Sequence, residues 1–160
     1  MRANHRIAGA VALAVTLTFA LAQPAAAQTS VNCSVTNGGQ ITTTTLDRAT
    51  MGGFATTPAL IGQQMFREHQ LDFTFRSVVI FNVLCFPDVL GMEAEVAGRG
   101  EVVQDTPTGT VVEQVLYRIR LTDGGSGQAL DLYHIELSNG YSSFERPVFS
   151  GEITIHNRDD

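Results

Sequence analysis

The chain has no lysine and no tryptophan, and each absence narrows the range of functions. Without lysine, positive charge comes from arginine alone, and beyond residue 27 eight arginines stand against sixteen acidic residues, a formal charge of −8. Nucleic acids and anionic membrane surfaces are bound through clustered cationic side chains. The sequence therefore predicts neither as a partner. Without tryptophan, the usual stacking platform for sugars is missing as well.

Long apolar runs are also lacking, since no segment reaches the roughly 20 residues that a membrane-spanning helix needs. The longest run, Ile7 to Ala22, follows a basic start at Arg2 and Arg6 and precedes the small residues Ala25–Ala27. This is the pattern of a secretory signal peptide. We therefore expect residues 1–27 to be a removable leader and residues 28–160 to be a single soluble, secreted domain without a membrane span.

Cysteine is limited to Cys33 and Cys85. An even number of cysteines in an exported protein usually indicates a disulfide. Cys85 also lies in the apolar run Val83 to Phe86, a setting that disfavours a reactive thiolate. The sequence predicts a Cys33–Cys85 disulfide rather than a nucleophile.

Helical patterns are scarce. Only Pro58 to His69 has apolar residues near helical spacing, after a proline suited to a first turn. Elsewhere apolar residues alternate with polar ones, most clearly in Leu71 to Phe81, Val111 to Leu121 and Leu130 to Leu137. This pattern predicts an all-β fold, an antiparallel β-sandwich or barrel of about seven or eight strands with at most one short helix.

Glycine-rich stretches divide the weaker strand segments. Asn37 to Gly39 and Gly52–Gly53 have the composition of turns, and the first of them separates a strand over Val31 to Thr36 from another over Gln40 to Thr45. In Leu71 to Phe81, strict alternation directs Phe81 towards the core.

Several of these features together resemble a known family. They are a Cys-Xaa-Val with a following glycine-rich stretch (Cys33 to Ile41), an Asp-Gly-rich loop leading into Asp-Xaa-Tyr (Asp123 to Tyr133), Leu-Ser-Asn-Gly-Tyr (Leu137 to Tyr141) and Gly-Glu-Ile-Thr-Ile-His (Gly151 to His156). The arrangement is similar to small exported bacterial domains called post-COAP domains, over nearly the whole chain beyond residue 27. Asn37, where a third glycine is expected, and the region Arg67 to His69 depart from the family. The resemblance implies a β fold and export; the family has no assigned activity, and no catalytic residue is transferred.

Catalytic motifs are not evident. His69, His134 and His156 lie in separate segments, whereas a zinc site usually includes at least one pair of ligands close in sequence. The sequence leaves open whether the three converge in space. Ser142 and Ser143 lack the Gly-Xaa-Ser-Xaa-Gly elbow of a hydrolase nucleophile.

The loop from Asp123 to Asp131 has two interpretations. Two carboxylates on a glycine-rich loop are the hard oxygen ligands that calcium prefers. The spacing is not that of an EF-hand, however, and Asp-Gly is a common hairpin signal. We favour a turn in which Asp123 caps its own backbone, and calcium is the only cofactor that we consider.

We therefore expect a non-enzymatic binding or structural interaction module, with a small β-barrel enzyme or metal-dependent hydrolase as the alternative. Its ligand is expected at polar loops on one end of the scaffold, on a cell-surface or extracellular polymer or protein. Tyr141 is the expected anchor, because an aromatic residue beside a glycine turn presents its ring at little entropic loss. The candidate binding residues are Tyr141, Asn139, Asp123 and Asp131, and the candidate loops are Asn37 to Gln40, Asp123 to Gln128 and Asn139 to Ser143.

Overall fold

The computed structural model describes residues 32–43, 46–125 and 130–157, and the expected leader at residues 1–27 lies outside them. The described residues form eight strands and no helix: β1 (Cys33–Thr42), β2 (Arg48–Thr56), β3 (Ile61–Glu68), β4 (Phe73–Asp88), β5 (Gly91–Thr106), β6 (Gly109–Asp123), β7 (Leu132–Leu137) and β8 (Arg146–Asn157). No helix within these residues is long and apolar enough to span a membrane. The predicted all-β fold is confirmed.

The eight strands close into one antiparallel barrel. Each strand pairs with the next in sequence, and β8 pairs with β1. Successive connections therefore lie at opposite ends of the barrel. We call the end where β1 begins and β8 ends the lower end; it also carries the β2–β3, β4–β5 and β6–β7 connections. The upper end carries the β1–β2, β3–β4, β5–β6 and β7–β8 connections.

Alternate residues of each strand fill the barrel interior. On β6, for example, Val115, Tyr117, Ile119 and Leu121 are buried, and on β1 Val35 and Ile41 are fully buried. An eight-stranded barrel is just wide enough for side chains to fill it or for one small ligand to share it with them. The interior of the barrel is thus the hydrophobic core.

The disulfide between Cys33 and Cys85 is confirmed, with 5.9 Å between the two Cα atoms. It joins the beginning of β1 to the far part of β4, so it ties two non-adjacent strands together across the lower end. Both cysteines are buried. Such a bond is typical of an oxidising compartment.

The first glycine-rich stretches are strands, not turns. Asn37 to Gln40 lies within β1, and Gly52–Gly53 lies within β2 opposite it. The glycines permit close approach of neighbouring backbones: Gly151 of β8 has φ +112, and a Cβ atom there would lie 2.0 Å from the Gly38 carbonyl oxygen. Only glycine fits such a contact without a shift of the strands.

The helix considered over Pro58 to His69 is wrong, because Ile61–Glu68 is strand β3. The prediction that Phe81 faces the core is also wrong, since its side chain is exposed. Register shifts between Ser77 and Val79 and between Ile80 and Asn82 each change the alternation of β4. A β-bulge reverses which face the following residues occupy, and it leaves no clear mark in the apolar pattern.

Candidate functional site

Strand β3 points two polar side chains into the barrel and exposes two of its apolar ones. Gln64 and Glu68 are buried on either side of Phe66, whereas Ile61 and Met65 are exposed. The two buried polar residues explain why the sequence of this segment does not have the apolar alternation of a barrel strand. They also identify the interior wall at β3 as polar.

Glu68 lies at the upper end of β3, where its carboxylate meets Tyr141 from the β7–β8 connection. The Tyr141 hydroxyl donates a hydrogen bond to Glu68 Oε2 at 3.1 Å. The other oxygen, Glu68 Oε1, is buried and has no hydrogen-bond partner. Burial and the nearby carboxylate together raise the pKa of Tyr141, so its hydroxyl stays a proton donor at neutral pH.

Aromatic rings surround this pair. Phe66 contacts Tyr133 in a stacked arrangement with ring centres 6.1 Å apart, and it contacts Tyr141 at 5.7 Å. Phe73 packs edge-on against Tyr141 at 4.8 Å. The Tyr133 hydroxyl is fully buried without a partner, and this burial raises the pKa of Tyr133. The ring of Tyr141, expected to be a surface anchor, therefore packs against the core.

Further down the interior, Tyr117 packs edge-on against Phe75 with ring centres 5.0 Å apart. Burial raises the pKa of Tyr117 to about 12, an effect that the nearby Ser77 hydroxyl partly offsets. The two hydroxyls do not have hydrogen-bond geometry, and the Tyr117 oxygen has no other partner. All three tyrosines of the chain thus contact the interior.

A cross-strand row of Asn37, Gly53 and Gln64 completes the polar wall. Gly53 makes room for the Gln64 carboxamide, because a Cβ atom on Gly53 would lie 2.7 Å from Gln64 Oε1. Asn37 Nδ2 donates to the Met51 sulfur at 3.3 Å. Asn37 Oδ1 and both polar atoms of the Gln64 side chain have no partner.

Five buried side chains therefore hold six polar atoms without hydrogen-bond partners inside the barrel, counted over the residues that the structure describes. Native proteins leave few such atoms unsatisfied, and most exceptions have a partner in water, an ion or a ligand. We call these side chains the interior polar set: Asn37, Gln64, Glu68, Tyr117 and Tyr133.

Outside the barrel, His134 on β7 lies under the β7–β8 connection. Its Nε2 is 3.0 Å from Ser142 Oγ, and its Nδ1 is 3.2 Å from a guanidinium nitrogen of Arg120. Because a guanidinium only donates, Nδ1 must accept, and the proton of neutral His134 is on Nε2. His134 therefore donates to Ser142 and cannot remove its proton, so this serine–histidine pair does not form a nucleophilic site.

Stability should decrease as the pH falls below 6.5 because of His134. Burial lowers its pKa from 6.5, and Arg120 and Arg118 act in the same direction against Glu136 and Glu145. Between the lowered pKa and 6.5, His134 binds more protons in the unfolded chain than in the folded one. The stabilisation that neutral His134 gives the folded state is therefore complete above pH 6.5 and is lost as the pH falls through the lowered pKa.

Thermal unfolding from pH 7.5 to pH 5, compared between the wild type and His134→Gln, checks this. The variant keeps a hydrogen-bonding side chain but cannot titrate, so its melting temperature should fall less over this range. Parallel pH curves for the two proteins would contradict the prediction.

The carboxylates of Asp123 and Asp131 accept backbone hydrogen bonds with all four oxygens. Asp123 takes the N–H groups of Gly125 (2.8 Å) and Ile155 (2.9 Å). Asp131 takes those of Gly124 (3.0 Å) and Ile153 (2.6 Å). This arrangement fits the interpretation as a structural turn, and it adds a link to β8 that the sequence does not reveal.

The other candidate residues are dispersed. His69 contacts Thr50 Oγ1 at 2.8 Å at the upper end, His134 lies on the outer face of β7, and His156 pairs with Ser34 near the lower end. The three histidines do not converge. Within residues 32–43, 46–125 and 130–157, no three His, Cys, Asp or Glu side chains are placed to hold a metal ion.

The three candidate binding loops do not lie together at one end of the barrel, contrary to the expectation from the sequence. Asn37 to Gln40 is part of β1, and the connections that follow β6 and β7 are at opposite ends of the barrel. Asn139 is exposed at the upper end, where its side chain donates to Glu113 Oε2 at 3.0 Å. Residues 126–129 of the first connection lie outside the described residues.

Comparison with known proteins does not assign a family to this chain. No family model, no curated protein and no solved structure matches this chain. The resemblance to post-COAP domains therefore stays a prediction. The interior polar set was missed in the sequence, although Gln64 and Glu68 at alternate positions around Phe66 were a readable signal of a polar inner face.

Proposed function

We propose that the protein is a binding module that takes one small, mostly apolar molecule with polar groups into the barrel interior. The observation that carries this proposal is the interior polar set, five side chains at least nine-tenths buried that hold polar atoms without hydrogen-bond partners. The same interior also contains aromatic rings. Ligand pockets have this composition, a largely apolar wall with a few polar groups that fix orientation.

Energetics support the same function. Each buried polar group without a partner destabilises the fold by about 1–3 kcal/mol relative to an apolar group of the same shape. Total stability of a domain is only about 5–15 kcal/mol. A set of such groups inside a single core is typical of a functional site kept at the expense of stability.

The upper end offers the path of access. At the lower end, the disulfide ties β1 to β4. At the upper end, the Tyr141 ring belongs to a connection rather than to a strand and is only half-buried. Connections open at lower free energy than strands do. Movement of Tyr141 away from Phe66 and Phe73 would expose Glu68 and Tyr133 to an incoming molecule.

Export completes the proposal. The apolar run with its basic start fits a signal peptide, and the disulfide fits an oxidising compartment. The site lies in the barrel rather than on exposed loops, so the ligand is a small molecule in place of the polymer or protein surface expected from the sequence.

Replacing Gln64 with leucine should stabilise the protein and abolish its binding function. Leucine has a similar size and needs no hydrogen-bond partner, so the free energy of unfolding should rise by about 1–2 kcal/mol. Urea denaturation measures the change. Gln63→Leu, on the exposed side of the same strand, is the matched control and should leave stability nearly unchanged.

Destabilisation by Gln64→Leu would contradict the proposal, because it would mean that permanently bound internal water already satisfies the amide as part of the fold. Binding is followed by tyrosine fluorescence with benzyl alcohol as the neutral probe. The chain has no tryptophan and all three tyrosines contact the interior, so the signal reports on the barrel itself. Wild type and Gln63→Leu should respond, and Gln64→Leu should not.

A further inference from the structure

Glu68 gives the interior a net negative charge. Among the buried, inward-facing residues of the described chain it is the only one with a formal charge, and no salt bridge is formed by it there. From this we infer that the ligand is a small organic cation with an ammonium group that binds Glu68. This inference rests on the proposed function and specifies its ligand class.

The formal charge of Glu68 favours a cationic ligand. A buried carboxylate without a cationic partner is unfavourable, and an ammonium group placed beside it gains far more than it would in water. The partner cannot be a lysine, since the chain contains none. Glu68 Oε1 is the free acceptor, whereas Oε2 already accepts the hydrogen bond from Tyr141.

The surrounding groups favour the same ligand class. Phe66, Phe73 and Tyr133 form one aromatic cluster with Tyr141, whose hydroxyl binds the carboxylate, and the faces of aromatic rings attract cations. An ammonium group has three donors and no acceptor, so it can satisfy acceptors without leaving one of its own unpaired.

The whole chain favours cations as well. Its acidic excess outside the leader produces a negative potential that raises the local concentration of positively charged molecules. An eight-stranded barrel holds at most one small ligand. The ligand is therefore a compact amine with one apolar body, not a polyamine chain or a basic peptide.

Three probes of one shape and different charge test the inference: benzylamine, benzyl alcohol and benzoate at pH 7. Tyrosine fluorescence and thermal unfolding are measured for each with the protein beginning at Gln28. We expect benzylamine to bind at least tenfold more tightly than benzyl alcohol and benzoate not to bind. Glu68→Gln should remove the preference, and Glu145→Gln, exposed on the β7–β8 connection, should keep it.

The outcomes separate the inference from the proposed function. If benzyl alcohol and benzylamine bind equally well, and Glu68→Gln changes neither affinity, the inference of a cationic ligand is wrong and the proposal of binding in the barrel interior stands. Failure of all three probes would overturn both.

If Glu68→Gln does not fold, Tyr141→Phe provides the test. It frees both oxygens of Glu68 and should strengthen benzylamine binding several-fold with little effect on benzyl alcohol. Unchanged or weaker benzylamine binding in that variant would contradict the role of Glu68.

Discussion

Replacing Cys33 and Cys85 together with alanine should lower the free energy of unfolding by about 4 kcal/mol. The two residues are 52 positions apart, and in the chain-entropy model a disulfide that closes a loop of this length restricts the unfolded chain by about that amount. The loss is a large part of the stability of a single domain. Urea denaturation of the double variant and the wild type measures it.

Reduction provides the control. Wild type treated with a strong reductant should unfold at the same urea concentration as the double variant, and the reductant should not affect the variant. A loss below about 1 kcal/mol would mean that the lower end holds its geometry without the disulfide, and that the unfolded chain gains little freedom from its removal.

Asp131→Ala should be the next most damaging change, with a loss of about 3 kcal/mol. The Asp131 carboxylate accepts two backbone hydrogen bonds, and bonds to a charged group contribute about 1.5–3 kcal/mol each. One of them comes from Ile153, whose side chain is buried and whose N–H would lose its partner. Glu152→Ala, exposed on the same strand, should change stability by less than 0.5 kcal/mol.

This loss follows from the shortness of β7. Its ladder with β8 covers only Leu132–Pro147 and Tyr133–Arg146. Beyond that point β7 no longer pairs with β8. The side chains of Asp131 and Asp123 instead accept hydrogen bonds from the N–H groups of Ile153 and Ile155 on β8. Asp131→Asn, which keeps one acceptor oxygen, should lose about half as much stability as Asp131→Ala.

Calcium addition distinguishes this structural role from the metal site considered for the same loop. With every carboxylate oxygen of Asp123 and Asp131 already accepting an N–H group, millimolar calcium should leave the melting temperature unchanged. A rise that Asp123→Ala abolishes would show that the loop rearranges to bind the ion.

Much of the fold can be predicted from the sequence because its strands alternate. Val111 to Leu121 and Leu130 to Leu137 correspond closely to β6 and β7, since apolar residues recur at alternate positions that point inward. The Cys33–Cys85 pair followed from the number of cysteines alone. The strands could be predicted because their inward-facing side chains are apolar.

The strands that were missed in the sequence do not have this apolar inner face, or have glycines that look like a turn. In β3, Gln64 and Glu68 point inward on either side of Phe66, so Phe66 is the only buried apolar residue of the strand and no apolar alternation can be detected. In β1 and β2, glycines that allow close strand contact have the same composition as a turn. The site itself depends on pairings over long sequence distances, such as Glu68 with Tyr141, and no local pattern encodes them.

Pairing of the first strand with the last has a consequence for how the protein is made. β1 can complete its hydrogen bonds only after β8 has been synthesised, because β8 supplies its second neighbour along Cys33–Ile41. Contacts between chain ends are slow to form, since a long loop must close first. Until then, β1 and the strands before β8 present open edges that can pair with other chains. The barrel is therefore most exposed to aggregation in its final folding step, and a chain that lacks β8 should not fold into a barrel at all.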